Sequence, residues 1–182
     1  AAPRPPDPAG VAMICCCITS EFCVIHDLDY FRSLPMKRVR QEHGTACGIA
    51  CVAMIAQGVT YSKVMKVARK LFDWNDSQRA FYTNSAQLRK LLLAFKVQTK
   101  KCRAVRKWSS LPDTAIVGIN YNEKTNTLHW VVFRREAAIE YVLDPRTKSD
   151  IRKDFSRMRL SLCIPIDLTP RASETAQKRA AS

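Results

Sequence analysis

From residue 48 to 95 the apolar residues recur at helical spacing, and from residue 96 onward they come in short runs of strand length. The stretch GIACVAMIAQ (48–57) predicts a compact helix of small residues, stopped by Gly58 in the left-handed position that ends many helices. YSKVMKVARKLF (61–72) puts Val64, Val67, Ala68 and Leu71 on one stripe, with Thr60 placed to cap it. SAQLRKLLLAF (85–95) predicts a third helix, and Asn84 followed by Gln87 has the form of a capping box with Asn in place of Ser or Thr. Strands are predicted over 96–104, 114–121, 127–135, 138–143 and 159–166. Alternation in TAIVGINY and HWVVF predicts that they form an antiparallel sheet. Helices followed by a run of strands indicate an α+β domain.

The two ends of the chain lack this patterning. AAPRPPDPAG is too rich in proline to pack, and VAMICCCITSEFCVIHDLDYFRSLP is apolar without a clear period. Met36 opens the first stretch with the character of a domain. Residues 1–35 are therefore expected to be a weakly ordered extension upstream of the native start, 36–168 one domain, and 169–182 a flexible tail without large apolar side chains. No run approaches the roughly 18 apolar residues needed to cross a bilayer, so no membrane span is expected.

The eight cysteines fall at 15, 16, 17, 23, 47, 51, 102 and 163, crowded near the start and then single, which is not the spacing of a disulfide framework. VAMICCCI resembles a short signal-peptide core, but it lacks a basic flank and a clear cleavage site. A reducing, cytoplasmic setting is the expectation. Net charge is +14, and residues 36–168 hold 25 basic and 11 acidic side chains, so the patterned part is the basic part. That balance suits an acidic partner, but the cations come singly or in pairs without a nucleic-acid motif. No specific nucleic-acid binding is expected.

Four residues carry candidate chemistry. Cys47 precedes the slim residues Gly48, Ile49 and Ala50, where a thiolate would meet unpaired backbone N–H groups and the positive end of the helix dipole. Gly48 is expected to leave room for a substrate backbone. His129, in NTLHWVVF, begins an alternating strand that would hold a general base rigidly. Asp144, in YVLDPRT, ends the next strand, where Pro145 would stop it. In a hairpin of 127–135 with 138–143, His129 and Asp144 stand near the same open end, so the carboxylate can fix the imidazole tautomer. Gln41 can offer its amide to an oxyanion. Cys51, one turn into the helix, reads as a small buried hydrophobe. His43 is spaced by four from Cys47, yet no tetrahedral set can be completed around it, and no metal or cofactor is expected. His26 lies in the unpatterned segment.

Gln41, then Cys47-Gly48 at a helix start, then His129-Trp130-Val131-Val132, then Asp144-Pro145 resemble, in order and spacing, the C39 family of papain-like cysteine peptidases, known for domains that trim bacteriocin leader peptides. The resemblance spans roughly 36–166. It implies a papain-like fold in a bacterial setting, with an N-terminal helical lobe bearing Cys47 and a C-terminal antiparallel sheet bearing His129 and Asp144. It also implies a peptidase in which Cys47 attacks a peptide carbonyl, His129 shuttles the proton, Asp144 orients His129 and Gln41 helps hold the oxyanion. The expected partner is a peptide or protein, with an acidic one favoured by the charge. Ala46 stands where the family commonly has Asp. No membrane region or nucleotide-binding domain follows, so a free-standing protein is expected, without presumed specificity for double-glycine leaders. Papain-like deamidases and acyltransferases share the triad, and a basic binding module that retained the fold is a third reading.

Overall fold

The computed structural model describes residues 36–75, 77–136 and 139–167. The expected extension over 1–35, with His26 and the first four cysteines, and the tail over 169–182 lie outside the described residues. Among the described residues three helices come first: α1 (Cys47–Ile55), α2 (Tyr61–Phe72) and α3 (Ser85–Ala94). The strands follow: β1 (Gln98–Thr99), β2 (Arg103–Ala104), β3 (Thr114–Asn122), β4 (Thr127–Glu136), β5 (Ile139–Leu143) and β6 (Leu160–Asp167). A single 3-10 turn, Trp108–Ser110, lies between β2 and β3.

Each helix forms where its caps and apolar residues direct it. Every residue of α1 is buried, as suits a helix with no polar face, and it packs against α2, α3 and β4. It ends at Ile55, two residues short of the expected stop, because the chain already turns at Gln57 and Gly58, with φ of 24° and 72°. Thr60 Oγ1 accepts the Lys63 N–H at 3.3 Å and starts α2. The buried face of α2 is Tyr61, Val64, Met65 and Ala68, with Val67 and Leu71 only partly covered, so the stripe is rotated toward Met65. At α3 the capping box forms in full: Asn84 Oδ1 accepts the Gln87 N–H at 2.9 Å, and Gln87 Oε1 accepts the Asn84 N–H at 3.0 Å. Such a cap contributes about 1 kcal/mol.

All the strands are antiparallel, in the order β1-β6-β3-β4-β5, with β2 also on β6. The single strand expected over 96–104 is instead two pieces, and Pro165 of β6 supplies the reason. The Lys100 N–H donates to the Pro165 carbonyl at 3.1 Å, but proline has no N–H to return the bond. The pairing lapses there and resumes one residue out of step, from Thr99–Ile166 to Arg103–Cys163.

Alternation in TAIVGINY marks two buried faces, not one buried and one wet. Ile116, Trp130, Val132, Leu143 and Ile164 face the helices. Val117, Val131, Phe133, Val142 and Cys163 form a second cluster, closed by Trp108, Phe155 and Met158. The result is an α+β arrangement of three helices and an antiparallel sheet, compatible with a papain-like peptidase fold.

Candidate active site

Cys47 is the first residue of α1, and Ala46 before it has no side chain able to cap the helix. The loop leading into it is tied to the far end of the sheet. The Gln41 N–H donates to the Pro145 carbonyl at 3.1 Å, and Arg146 Nη2 donates to the Gly44 carbonyl at 3.3 Å. These bonds join residues about a hundred positions apart, and they set the nucleophile's loop beside the end of β5.

On the sheet side, the β4–β5 register pairs Val132 with Leu143 and leaves Asp144 just past the last pair. His129, three residues before Val132, then reaches it diagonally. Its Nε2–H donates to Asp144 Oδ1 at 2.8 Å, and both side chains are almost wholly buried. Asp144 also accepts the Arg146 backbone N–H at 2.9 Å and lies 3.7 Å from Arg152 Nη1. Burial would raise its pKa, but His129, the Arg146 N–H and the Arg152 charge outweigh that, and the carboxyl lies below its ordinary value. With Nε2 engaged, Nδ1 is the ring nitrogen left for Cys47; it is buried and stands without a hydrogen-bond partner among the described residues.

The thiol follows the same balance. Burial alone would raise the pKa of Cys47. The pairing with His129, the Trp130 N–H donated to Sγ at 3.4 Å, and the charges of His129 and Arg146 lower it below the ordinary thiol value. For His129, burial would lower the pKa, but Asp144 and Cys47 raise it. The two shifts favour a thiolate–imidazolium pair. Ala46, just before the thiol, is fully buried. Cys51 is fully buried, and burial, then Cys47 and Asp144, push it well above the ordinary value. Cys163 is pushed up to about 11, chiefly by burial. Iodoacetamide at about pH 6 should therefore modify Cys47 well before Cys51 and Cys163, as peptide mapping of the folded protein would show. Equal rates would contradict this picture.

One expectation changes at this site. Gly48 does not leave room for substrate: a Cβ there would strike Thr83 Oγ1 and come within 2.8 Å of Leu88 Cδ2, so the glycine serves the packing of α1 on α3. Gln41 is placed beside Cys47's loop, but its Nε2 donates to the carbonyls of His43 at 2.8 Å and Gly44 at 2.9 Å. In this conformation its amide protons are engaged within the loop. His43 stacks on Tyr61 and bonds its hydroxyl at 3.0 Å, with its ring edge against Phe81. Among the described residues no group of three His, Cys, Asp or Glu side chains could hold a metal ion.

Trp130, which the sequence motif had placed after His129, and Arg146, which no local signal singled out, also belong to the site. The Trp130 indole N–H donates to the Thr83 carbonyl at 2.8 Å, pinning β4 to the entrance of α3 while its backbone N–H meets the thiol. Among the described residues, no helix is long and apolar enough to cross a membrane.

A comparison with characterised proteins gives no match. The sequence profile described as Peptidase C39 family matches residues 36–159, which include Gln41, Cys47, His129 and Asp144. The match covers well over half of the chain and identifies a cysteine peptidase in general terms: the protein belongs to the Peptidase C39 family.

Proposed function

We propose that the protein hydrolyses peptide bonds through Cys47, His129 and Asp144. The observation that carries this reading is the His129–Asp144 bond of 2.8 Å beside a thiol whose pKa is lowered. In this mechanism the Cys47 thiolate adds to the scissile carbonyl, and the C=O electron pair moves onto oxygen. The His129 imidazolium gives its proton to the leaving amine as the C–N bond breaks, which leaves a thioester on Cys47. A water then loses its proton to His129 and attacks the thioester, releasing the acid and the thiol. Asp144 holds the imidazole and stabilises its charged form.

The oxyanion would lie at the start of α1, where backbone N–H groups have no side-chain cap from Ala46. Gln41 would contribute its amide by giving up one of its two carbonyl partners as substrate enters. The catalytic unit in this proposal is 36–168, working in a reducing, cytoplasmic setting that preserves the thiol. A deamidase or acyltransferase would pass through the same thioester and differ in what enters or leaves it.

The test is incubation of the purified protein with a thiol-directed acyl probe and with a peptide library, followed by mass spectrometry. Label on Cys47 together with backbone cuts supports the peptidase. Label with a mass change at a Gln or Asn side chain and no cuts makes it a deamidase, and no label on Cys47 overturns the nucleophile. A third reading, a basic nucleic-acid-binding module, is tested by duplex binding. It would require submicromolar affinity at about 150 mM salt that is unaffected by Cys47→Ser.

The pH dependence of kcat/KM should be bell-shaped. Activity requires the thiolate and the protonated imidazole together. The acid limb should therefore fall below the ordinary thiol pKa, and the alkaline limb above the ordinary imidazole pKa, because the pair lowers the first and raises the second. A plateau rising through the ordinary thiol range would show that no such pair forms.

A further inference from the structure

Two cavities lie side by side along the loop that precedes Cys47. One, of about 310 Å³, is bounded by residues 40–44 with Pro145 and Arg146. The other, of about 280 Å³, lies between Glu42 and His43 on one side and Tyr61, Met65 and Lys66 of α2 on the other. Glu42 and His43 line both, so the two adjoin as one trough. The His43 ring is held by the Tyr61 hydroxyl and the edge contact with Phe81.

The charge of the trough is one-sided. Arg40, Arg146, Lys66 and Arg69 line it against the single carboxylate of Glu42. Arg69 is placed over the Phe81 ring at 5.5 Å. Among the described residues no carboxylate forms an ion pair with Arg40, Arg146 or Lys66, unlike Arg134 and Arg135, which pair with Glu136 and with Asp113 and Glu140. Arg146 also lies close to the chemistry, since its backbone N–H holds Asp144 and its side chain bonds Gly44, three residues before Cys47.

We infer that the compartment bounded by Arg40 and Arg146 is a specificity subsite for an Asp or Glu side chain of a polypeptide substrate, placed within a few residues of the bond that Cys47 attacks. This rests on the peptidase reading of Cys47. The carboxylate fits because it is small enough for the cavity, can accept from both guanidinium groups, and finds there cations without a carboxylate partner. Glu42, the carboxylate that also lines this compartment, disfavours a second acidic side chain there.

Exposed contacts of this kind are individually weak, so each guanidinium should be worth about two- to fivefold in selectivity. Against a reversed charge the difference should reach about tenfold, and it should shrink as salt rises. The test takes the best peptide from the library and walks Glu, Gln and Lys through the positions flanking its cleavage site. kcat/KM is measured for the wild type, for Arg40→Gln with Arg146→Gln, and for Arg40→Lys with Arg146→Lys. At one flanking position the wild type should prefer Glu over Gln over Lys, mainly through KM. The Gln double variant should lose that order and the Lys double variant should keep most of it.

A second arm is independent of turnover. The Cys47→Ser protein should bind a short fluorescent Glu-Ala peptide more tightly than a Lys-Ala peptide by anisotropy, and the Arg-to-Gln changes should remove the difference. Equal rates for Glu and Lys at every position, or a Glu preference unchanged in the Gln double variant, would overturn the subsite. If no peptide is cut at all, the peptidase reading fails, and the anisotropy arm alone decides whether the trough selects a carboxylate.

Discussion

Cys47→Ser should abolish turnover, and His129→Ala should lower kcat by about 10²–10⁴-fold, with the double variant no less active than the weaker single one. The reason lies in how the groups share one task. The thiol lies below its ordinary pKa only because His129, the Trp130 N–H and two positive charges outweigh burial. Without the imidazole, burial dominates, and the thiol returns to its protonated form near neutral pH. Asp144→Asn should be less severe, because an amide oxygen can still accept the Nε2–H while the stabilising charge is lost. Gln41→Ala should be milder still, since the Gln41 amide is engaged by its own loop. Initial rates on a cleaved peptide, with thermal melts to show that each variant is folded, check the series. Undiminished activity in His129→Ala would place the base elsewhere.

Gly48→Ala should destabilise the protein by about 1–3 kcal/mol, although Ala is the better helix former. Two effects oppose each other at this position. Helix propensity favours Ala over Gly by about 1 kcal/mol in a helix interior, and less in the first turn. Against it, the new Cβ would strike Thr83 Oγ1, lie 2.8 Å from Leu88 Cδ2 and 3.3 Å from Thr83 Cβ. Leu88 is fully buried and α1 has no free face, so neither helix can move aside without disturbing the core. Urea melts of the variant should show a lower midpoint with an unchanged slope, and Thr83→Ala in the same chain should recover part of the loss. A midpoint above the wild type would show that Thr83 and Leu88 yield freely. The same close packing displaces the reading of Gly48 as an opening for substrate.

How far the sequence alone could lead depended on the distance over which each feature is decided. The caps of α2 and α3 were legible because Thr60 with Lys63, and Asn84 with Gln87, meet within four residues of chain. The strand positions were legible because runs such as TAIVGI suit a pleated, buried surface. The closeness of His129 to Asp144 followed from a hairpin, in which a short connection sets the register and two residues beyond its last pair must lie near each other. The break in the edge strand was not legible, because its cause, Pro165, lies more than 60 residues from Lys100. Nor could alternation distinguish a sheet with one wet face from one covered on both, since this depends on where Trp108, Phe155 and Met158 fold back.

The residue types for a thiol chemistry, their order and the helix that begins at Cys47 are written in the sequence. The stacking of α1 between α3 and β4 decided the rest. It filled the space beside Gly48 and set the Trp130 N–H against the thiol. The bond from Gln41 to Pro145 and the engagement of the Gln41 amide by His43 and Gly44 were decided at the same level, as was the position of Arg146 over the loop. Local propensity carries no information about such contacts, because they form only when elements far apart in the chain bury their apolar faces against one another and bring the intervening loops together.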